Sequence, residues 1–329
     1  MTAPVPQDLL DAARDGRTAP LGRLVSLVER GGPAARDVAR AAYPLSGAAY
    51  TVGITGAPGA GKSTLTGRLV GALRSREDRV AVLAVDPSSP YSGGAILGDR
   101  VRMHDHVLDD GVFIRSMATR GHLGGLSLAA PEAVRVLDAA GYDWVLLETV
   151  GVGQVELDVT QTVDTTIVVV NPGWGDDVQA AKAGLLEIAD VLVVNKADRP
   201  GLDETRMDLE NMLDTSTTAG DGWRPPVVAT VAADGGGVDD LLTAIEGHRA
   251  WLAGEDRLAA ARAARLWDEV ESILAARLRR RAQRMLTDDG IASVRSRVGA
   301  RDLDPWSASD RILAALDGGA PPAPSDPGA

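Results

Sequence analysis

Hydrophobic and polar positions follow two rhythms, and the change between them divides the chain. In residues 9–43 apolar side chains recur at helical spacing: Leu9, Leu10 and Ala13, then Leu21, Leu24, Val25, Leu27 and Val28. Gly31, Gly32 and Pro33 interrupt that spacing, residues 34–42 resume it, and 44–48 read as a linker. From Tyr50 onward short β-branched runs alternate with longer amphipathic stretches. The runs are 50–54, 80–85, 112–114, 144–147, 165–170, 191–194 and 227–231. Several are apolar almost throughout, as strands buried on both faces must be. Helical stretches separate most of them, at 63–74, 131–139, 178–189, 202–213 and 238–251. This alternation predicts an α/β fold, a mainly parallel central sheet flanked by helices.

After Trp251 the strand candidates stop. Residues 256–285 read as one long helix, with Leu258, Ala261, Leu266, Val270, Leu274, Leu278 and Met285 on or near one stripe. Arg277, Arg279, Arg280, Arg281 and Arg284 flank it as a solvated face. Another helix is predicted at 305–316, and the Pro/Gly/Ala-rich tail 318–329 reads as disordered. The expected organisation is a helical N-terminal extension (1–45), an α/β core (46–252), a helical C-terminal arm (253–317) and the tail. No apolar run approaches the roughly 20 residues of a membrane span. The first residues lack the basic and apolar regions of a secretory leader, so the cytoplasm is the expected location.

Composition narrows the chemistry. The formal net charge of −12 and the aromatic content of 3% argue against nucleic-acid binding, which needs a basic footprint and often stacking platforms. Cysteine is absent, which removes disulfides, thiol catalysis and zinc ribbons. With only four histidines, a metal centre would depend on carboxylates. His104 and His106 flank Asp105, but at helical spacing such a pair points to different faces, so they read as exposed or supporting residues.

Two motifs carry a definite chemistry. Gly56, Ala57, Pro58, Gly59, Ala60, Gly61, Lys62 and Ser63 spell the phosphate loop GxxxxGK[ST], placed between an apolar strand and a helix. Its glycines let successive N–H groups curl toward phosphate oxygens, and the helix that follows adds its positive end, starting with Ser63 and Thr64. Lys62 supplies a point charge to the β/γ-phosphates, and Ser63 offers a hydroxyl to Mg²⁺. At the end of the run 191–194 stands Asn195-Lys196-Ala197-Asp198, the NKxD pattern. Asp198 can accept from guanine N1–H and the 2-amino group. Adenine offers neither donor and would leave the carboxylate unpaired, at a cost of at least about 1.5–3 kcal/mol. Lys196 can lie along the base, and Asn195 can tie this loop to the phosphate loop. A backbone N–H from Val231, Ala232 or Ala233, at the end of the last strand, is expected to meet guanine O6.

Acidic residues complete the candidate site. Asp86 and Glu148 end the runs 80–85 and 144–147, and carboxyl ends of neighbouring parallel strands converge where such sheets bind ligands. Both are candidates for Mg²⁺, as is Asp99 in the glycine-rich stretch 92–103. Glu148 stands where many GTPases have the Asp of DxxG; Gly151 is then the glycine whose N–H senses the γ-phosphate. Val152 follows where a Ras-type glutamine would stand, so Gln154 is the nearest candidate to position water, and unaided hydrolysis is expected to be slow.

The segments 56–64, 86–90 with 93–103, 121–125, 148–156, 175–179 with 182–184, and 195–198 stand in the order seen in the MeaB/ArgK-type GTPases. The chain resembles that family over about residues 20–285. The resemblance implies a P-loop GTPase related to the signal-recognition and nickel-insertion GTPases, binding GTP or GDP with Mg²⁺. It implies a chaperone of an adenosylcobalamin-dependent acyl-CoA mutase, methylmalonyl-CoA mutase by default, which gates cofactor loading and helps remove inactivated cobalamin. It further implies a homodimer formed through the C-terminal arm, and an extra switch at 173–184 that touches the mutase. Lys62, Glu148, Gly151 and Gln154 would serve hydrolysis of GTP to GDP and phosphate. Val231 departs from the serine that relatives often carry, but a backbone donor survives that change. The stretch 115–120 varies within the family and takes no role. Two alternatives stand beside this reading. A nickel-type metallochaperone is weakened by the absence of cysteine and of a His-rich tract. A regulatory switch with negligible turnover would show no stimulation of hydrolysis by a partner.

Overall fold

The computed structural model describes residues 5–87, 106, 108–119, 125–149, 162–173, 188–215, 222–286 and 291–316. The chain divides into two compact units, Met1–Leu266 and Trp267–Ala329. No helix among the described residues is long and apolar enough to cross a membrane.

In the first unit three helices, α1 (Pro6–Arg14), α2 (Thr18–Arg30) and α3 (Pro33–Ala42), precede the sheet. The strands are β1 (Tyr50–Gly56), β2 (Val80–Pro87), β3 (Val112–Thr119), β4 (Trp144–Thr149), β5 (Thr165–Val170), β6 (Val191–Asn195) and β7 (Val227–Thr230). They lie in the order β3-β2-β4-β1-β5-β6-β7, and every pairing is parallel. Interleaved are α4 (Lys62–Arg74), α5 (Gly125–Ala139), α6 (Leu202–Thr215) and α7 (Val238–Ala253). Strand β1 sits between β4 and β5, so the loop after it opens at the centre of the sheet's carboxyl edge.

Successive strand residues point to opposite faces, and the core divides accordingly. Ala81, Leu83 and Val85 of β2 join a cluster with Leu10, Leu21, Leu24 and Val28 of the first helices and Leu137 of α5. Val80 and Val82 join the opposite cluster, with Leu65 and Leu69 of α4 and Leu241 and Ile245 of α7. The first three helices are therefore part of the main core. Burying one leucine contributes about 1.5–3 kcal/mol. Arg115 of β3 adds a polar link, donating to Ser26 Oγ at 2.8 Å and Glu29 at 3.3 Å on α2. The stretch 44–48 is pinned rather than loose: the Asp138 carboxylate accepts N–H groups from Gly47, Ala48 and Ala49 at 2.5, 3.2 and 3.0 Å.

Other differences from the sequence expectation have physical reasons. Strand β3 runs on past Ile114 through Arg115 and Ser116, because an edge strand tolerates polar residues. Helix α5 starts at Gly125 and carries Pro131 in its interior, whereas the sequence pattern predicts Pro131 as a first helical position. Val231 leaves the strand and forms an isolated bridge with Gly236. Most of the helix expected at 178–189, and the tail 318–329, lie outside the described residues.

The amino ends of the strands carry a buried polar network. Tyr50 Oη and Thr165 Oγ1 are 2.6 Å apart, and Thr165 Oγ1 is 2.9 Å from His248 Nδ1. His248 Nε2 lies 3.4 Å from Asp190 Oδ1, while Asp190 Oδ2 accepts the Thr166 N–H at 2.7 Å. Trp223 and Trp251 pack around the imidazole. Burial pushes the Asp190 carboxyl up to about 7, with the neighbouring Asp164 charge adding to the rise. Burial pushes the His248 imidazole down to about 4. Asp164 is buried too, which alone would raise it, but Arg262 and Arg265 outweigh burial and hold it below the usual carboxylate range.

Those arginines stand in the first part of α8 (Arg257–Leu286), which the left-handed residues Glu255 and Asp256 separate from α7. Arg262 donates to both Asp164 oxygens, at 3.0 and 2.6 Å, and to the carbonyls of Gly47 and Ala49 at 2.6 and 2.7 Å. Arg265 adds a 2.5 Å bond to the same carboxylate.

The second unit holds the rest of α8, then α9 (Ala292–Gly299) and α10 (Pro305–Leu316). The sequence pattern did not predict α9, a helix of eight residues with no fully buried member. Asp304 caps α10, accepting N–H bonds from Trp306 and Ser307 at 2.9 and 3.0 Å. On α8, Trp267, Val270, Leu274 and Leu278 are exposed at spacings of three and four residues.

Candidate functional site

The glycine loop between β1 and α4 can be built only from its sequence. Gly56 has φ 133°, and an added Cβ would run into the carbonyl of Val169 on β5. Gly61 has φ 94° and abuts the Asn195 side chain, so a larger residue would displace the β6 loop. Between them Ala60 is buried while Pro58 and Gly59 are exposed. The Lys62 ammonium is anchored on the carbonyls of Gly56 and Ala57, at 2.7 and 3.0 Å. This holds a buried cation against the inside of the loop. Thr64, one turn into α4, is exposed.

Ser63 Oγ donates to Glu148 Oε1 at 2.5 Å, and both side chains are buried. The register sets this pairing: Glu148 on β4 lies opposite Ile54 on β1, below the loop. Thr149 Oγ1, beside Glu148, bonds Thr55 Oγ1 at 3.0 Å and locks the two strands under the site. A hydroxyl beside a carboxylate is a set of hard oxygen donors of the type Mg²⁺ takes alongside phosphate oxygens and water. Asp86 stands at the carboxyl end of β2, two positions beyond Ala84, the register partner of Glu148. The Asp86 side chain, Asp99, Gly151 and Gln154 lie outside the described residues, as do His104 and residues 174–184. Among the described residues no group of three or more histidine or acidic side chains converges as a metal cluster. His106 is half-buried against α4, its Nε2 3.1 Å from the Gly67 carbonyl.

The NKxD segment joins three loops. Asn195 Nδ2 donates to the Ala60 carbonyl at 2.7 Å. Its Oδ1 accepts from Thr230 Oγ1 at 3.1 Å and from the Ala232 N–H at 3.0 Å. Lys196 takes a left-handed φ of 61° and donates from Nζ to the Gly59 carbonyl at 2.5 Å. The Ala197 N–H bonds the Thr230 carbonyl at 3.0 Å. Asp198, next along, is exposed. The structure thus brings the phosphate loop, Ser63 with Glu148, the NKxD loop and residues 231–233 to one edge of the sheet. Sequence reasoning missed Thr149 and Arg68. Arg68 reads as an ordinary surface arginine of α4, and only the folded arrangement carries it to the 231–233 loop.

A parallel sheet whose central strand ends in this loop, with a buried lysine and serine and an asparagine bridging to the next loop, defines a P-loop nucleotide-binding protein. The family model described as methylmalonyl Co-A mutase-associated GTPase MeaB matches residues 21–286. The chain belongs to this family, and it is a GTPase. A protein of Pyrococcus abyssi that bears a GTPase name is 46% identical over 314 residues, 95% of this chain and 97% of that one. The GTPase ArgK of Escherichia coli is 41% identical over 255 residues, 74% of this chain and 76% of that one. Among solved structures, one titled LAO/AO transport system kinase matches with a TM-score of 0.72 and 26% identity, over 96% of this chain and 99% of that one.

Proposed function

We propose that this GTPase is a chaperone of an adenosylcobalamin-dependent acyl-CoA mutase, methylmalonyl-CoA mutase first among them. In this reading it binds GTP in the cytoplasm, gates cofactor loading and helps clear inactivated cobalamin. One observation carries the proposal: the match to the mutase-associated family runs beyond the nucleotide site, from the N-terminal helices to residue 286 in α8.

Within the site, residues 56–64 cradle the phosphates and Lys62 neutralises charge as the β–γ bond breaks. Ser63 and Glu148 would hold Mg²⁺, with Asp86 and Asp99 as further carboxylates; the ion would offset negative charge on the phosphates. Gly151 senses the γ-phosphate and Gln154 positions water. Asp198 reads the guanine edge, Lys196 lies along the base, and the 231–233 loop supplies the donor to O6. The exposed stripe of Trp267, Val270, Leu274 and Leu278 supports a homodimer formed through the arm, since such a stripe gains by being covered.

The test is a pull-down from the source organism's lysate. Tagged protein loaded with a non-hydrolysable GTP analogue is compared with GDP-loaded and Lys62→Ala baits. Acyl-CoA mutase subunits should be recovered in a nucleotide-dependent way. Recovery of a nickel enzyme instead, or of no mutase from cells that express one, overturns the chaperone assignment and leaves the GTPase without that client.

A further inference from the structure

Residues 231–236 form a tight turn after β7, and their amides are almost fully used. The Val231 N–H bonds the Gly236 carbonyl at 2.9 Å, and Asp234 and Gly235 donate to the Val231 carbonyl at 3.2 and 3.0 Å. The Ala232 N–H is taken by Asn195 Oδ1, and the Gly236 N–H by Asp234 Oδ1 at 2.9 Å. Among the described residues, the Ala233 N–H is the one amide of this turn with no acceptor, and Ala233 is exposed. From the other side Arg68 of α4 grips the turn. Its Nε donates to the Ala232 carbonyl at 3.0 Å and its Nη2 to the Ala233 carbonyl at 2.5 Å.

The peptide unit is planar and trans, so its C=O and N–H point in opposite directions. Holding the Ala232 oxygen toward α4 therefore aims the Ala233 N–H away from α4. Asn195 fixes the preceding peptide by its N–H, so the Ala232–Ala233 unit is clamped from two sides. The planar fork of a guanidinium suits two adjacent carbonyls; a lysine ammonium could satisfy them only as a mobile point charge.

We propose that Arg68 is a positioning residue for base recognition: it orients the Ala232–Ala233 peptide so that the Ala233 N–H meets the six-position oxygen of guanine. This rests on the reading that the NKxD loop and the 231–233 turn hold a guanine base. Arg68 does not touch the nucleotide. It selects among bases by holding one donor where adenine would present its own amino donor.

The test compares GTP, 6-thio-GTP and inosine triphosphate by competition for binding to the full chain. The thio analogue replaces only the six-position oxygen by a weaker, larger acceptor, and inosine lacks only the 2-amino group. Wild-type protein should prefer GTP over both. Arg68→Ala should shrink the GTP to 6-thio-GTP preference about 3- to 10-fold, the range of one neutral hydrogen bond, and leave the GTP to inosine triphosphate ratio unchanged. Arg68→Lys should fall between, and it serves as the readable variant should Arg68→Ala not fold. An equal loss for all three nucleotides, or no change in either ratio, overturns the positioning role. A wild-type protein indifferent to the 2-amino group would instead overturn the base-reading site itself.

Discussion

At the carboxyl edge of the sheet, the loop cations and Asn195 hold backbone: Lys62 anchors on Gly56 and Ala57, Asn195 on Ala60 and Ala232, and Lys196 on Gly59. At the amino edge, a series of side chains link to one another: Tyr50 meets Thr165, Thr165 meets His248, and Asp164 takes Arg262 and Arg265. The first arrangement shapes loops whose outward-facing groups remain for a ligand. The second satisfies its own charges and joins the root of α8 to the core. Loop shaping and helix anchoring are thus separated across the same seven strands.

The largest test of that separation is Lys62→Ala. Removing the cation proposed to face the β/γ-phosphates should weaken GTP by about 1,000-fold, equivalent to about 4 kcal/mol. Thermal unfolding should shift less than in Asp164→Ala, and equal shifts would break the comparison. Asp164→Ala leaves Arg262 and Arg265 without their buried partner and should cost about 3 kcal/mol of stability by urea unfolding. GTP affinity below the transition should hold. Asp198→Asn comes next: it should weaken GTP by about 10- to 100-fold and favour xanthosine triphosphate, whose two-position oxygen needs a donor. Full retention of GTP preference would remove Asp198 from base reading.

The smallest effect lies in Asp190 and His248. A carboxyl raised to about 7 makes folding lose stability as pH rises from about 4 toward 7, because the unfolded chain ionises first. An imidazole lowered to about 4 does the opposite, losing stability as pH falls from about 6.5 toward 4. The folded pair holds one proton across this window, and so does the unfolded pair, so the two slopes nearly cancel. Asp190→Asn should expose the histidine slope, with stability falling relative to wild type as pH drops from 6.5 to 4.5. His248→Asn should expose the reverse. Urea unfolding across that range reads both signs, and parallel profiles for the two variants would contradict the shared proton.

Much of the carboxyl edge was legible beforehand because its chemistry is local. A phosphate loop is eight consecutive residues whose glycines and lysine are dictated by backbone curvature and charge, and NKxD is four. The strands were legible because burial on both faces leaves apolar runs, as in 165–170. Strand β3 was underestimated where edge exposure permitted Arg115 and Ser116.

By itself the sequence determined the α/β class, the order of the strands, the glycine loop and NKxD segments at the strand ends and the long C-terminal helix, since periodicity and short motifs act over neighbouring residues. Only the tertiary structure decided that the first three helices complete the main core, that Glu148 meets Ser63, that Arg68 clamps the 231–233 turn, and that Asp164 joins α8 to the strand bases. Each of those contacts pairs residues far apart in the chain, and strand order and register, set by burying both faces of one sheet, bring them together.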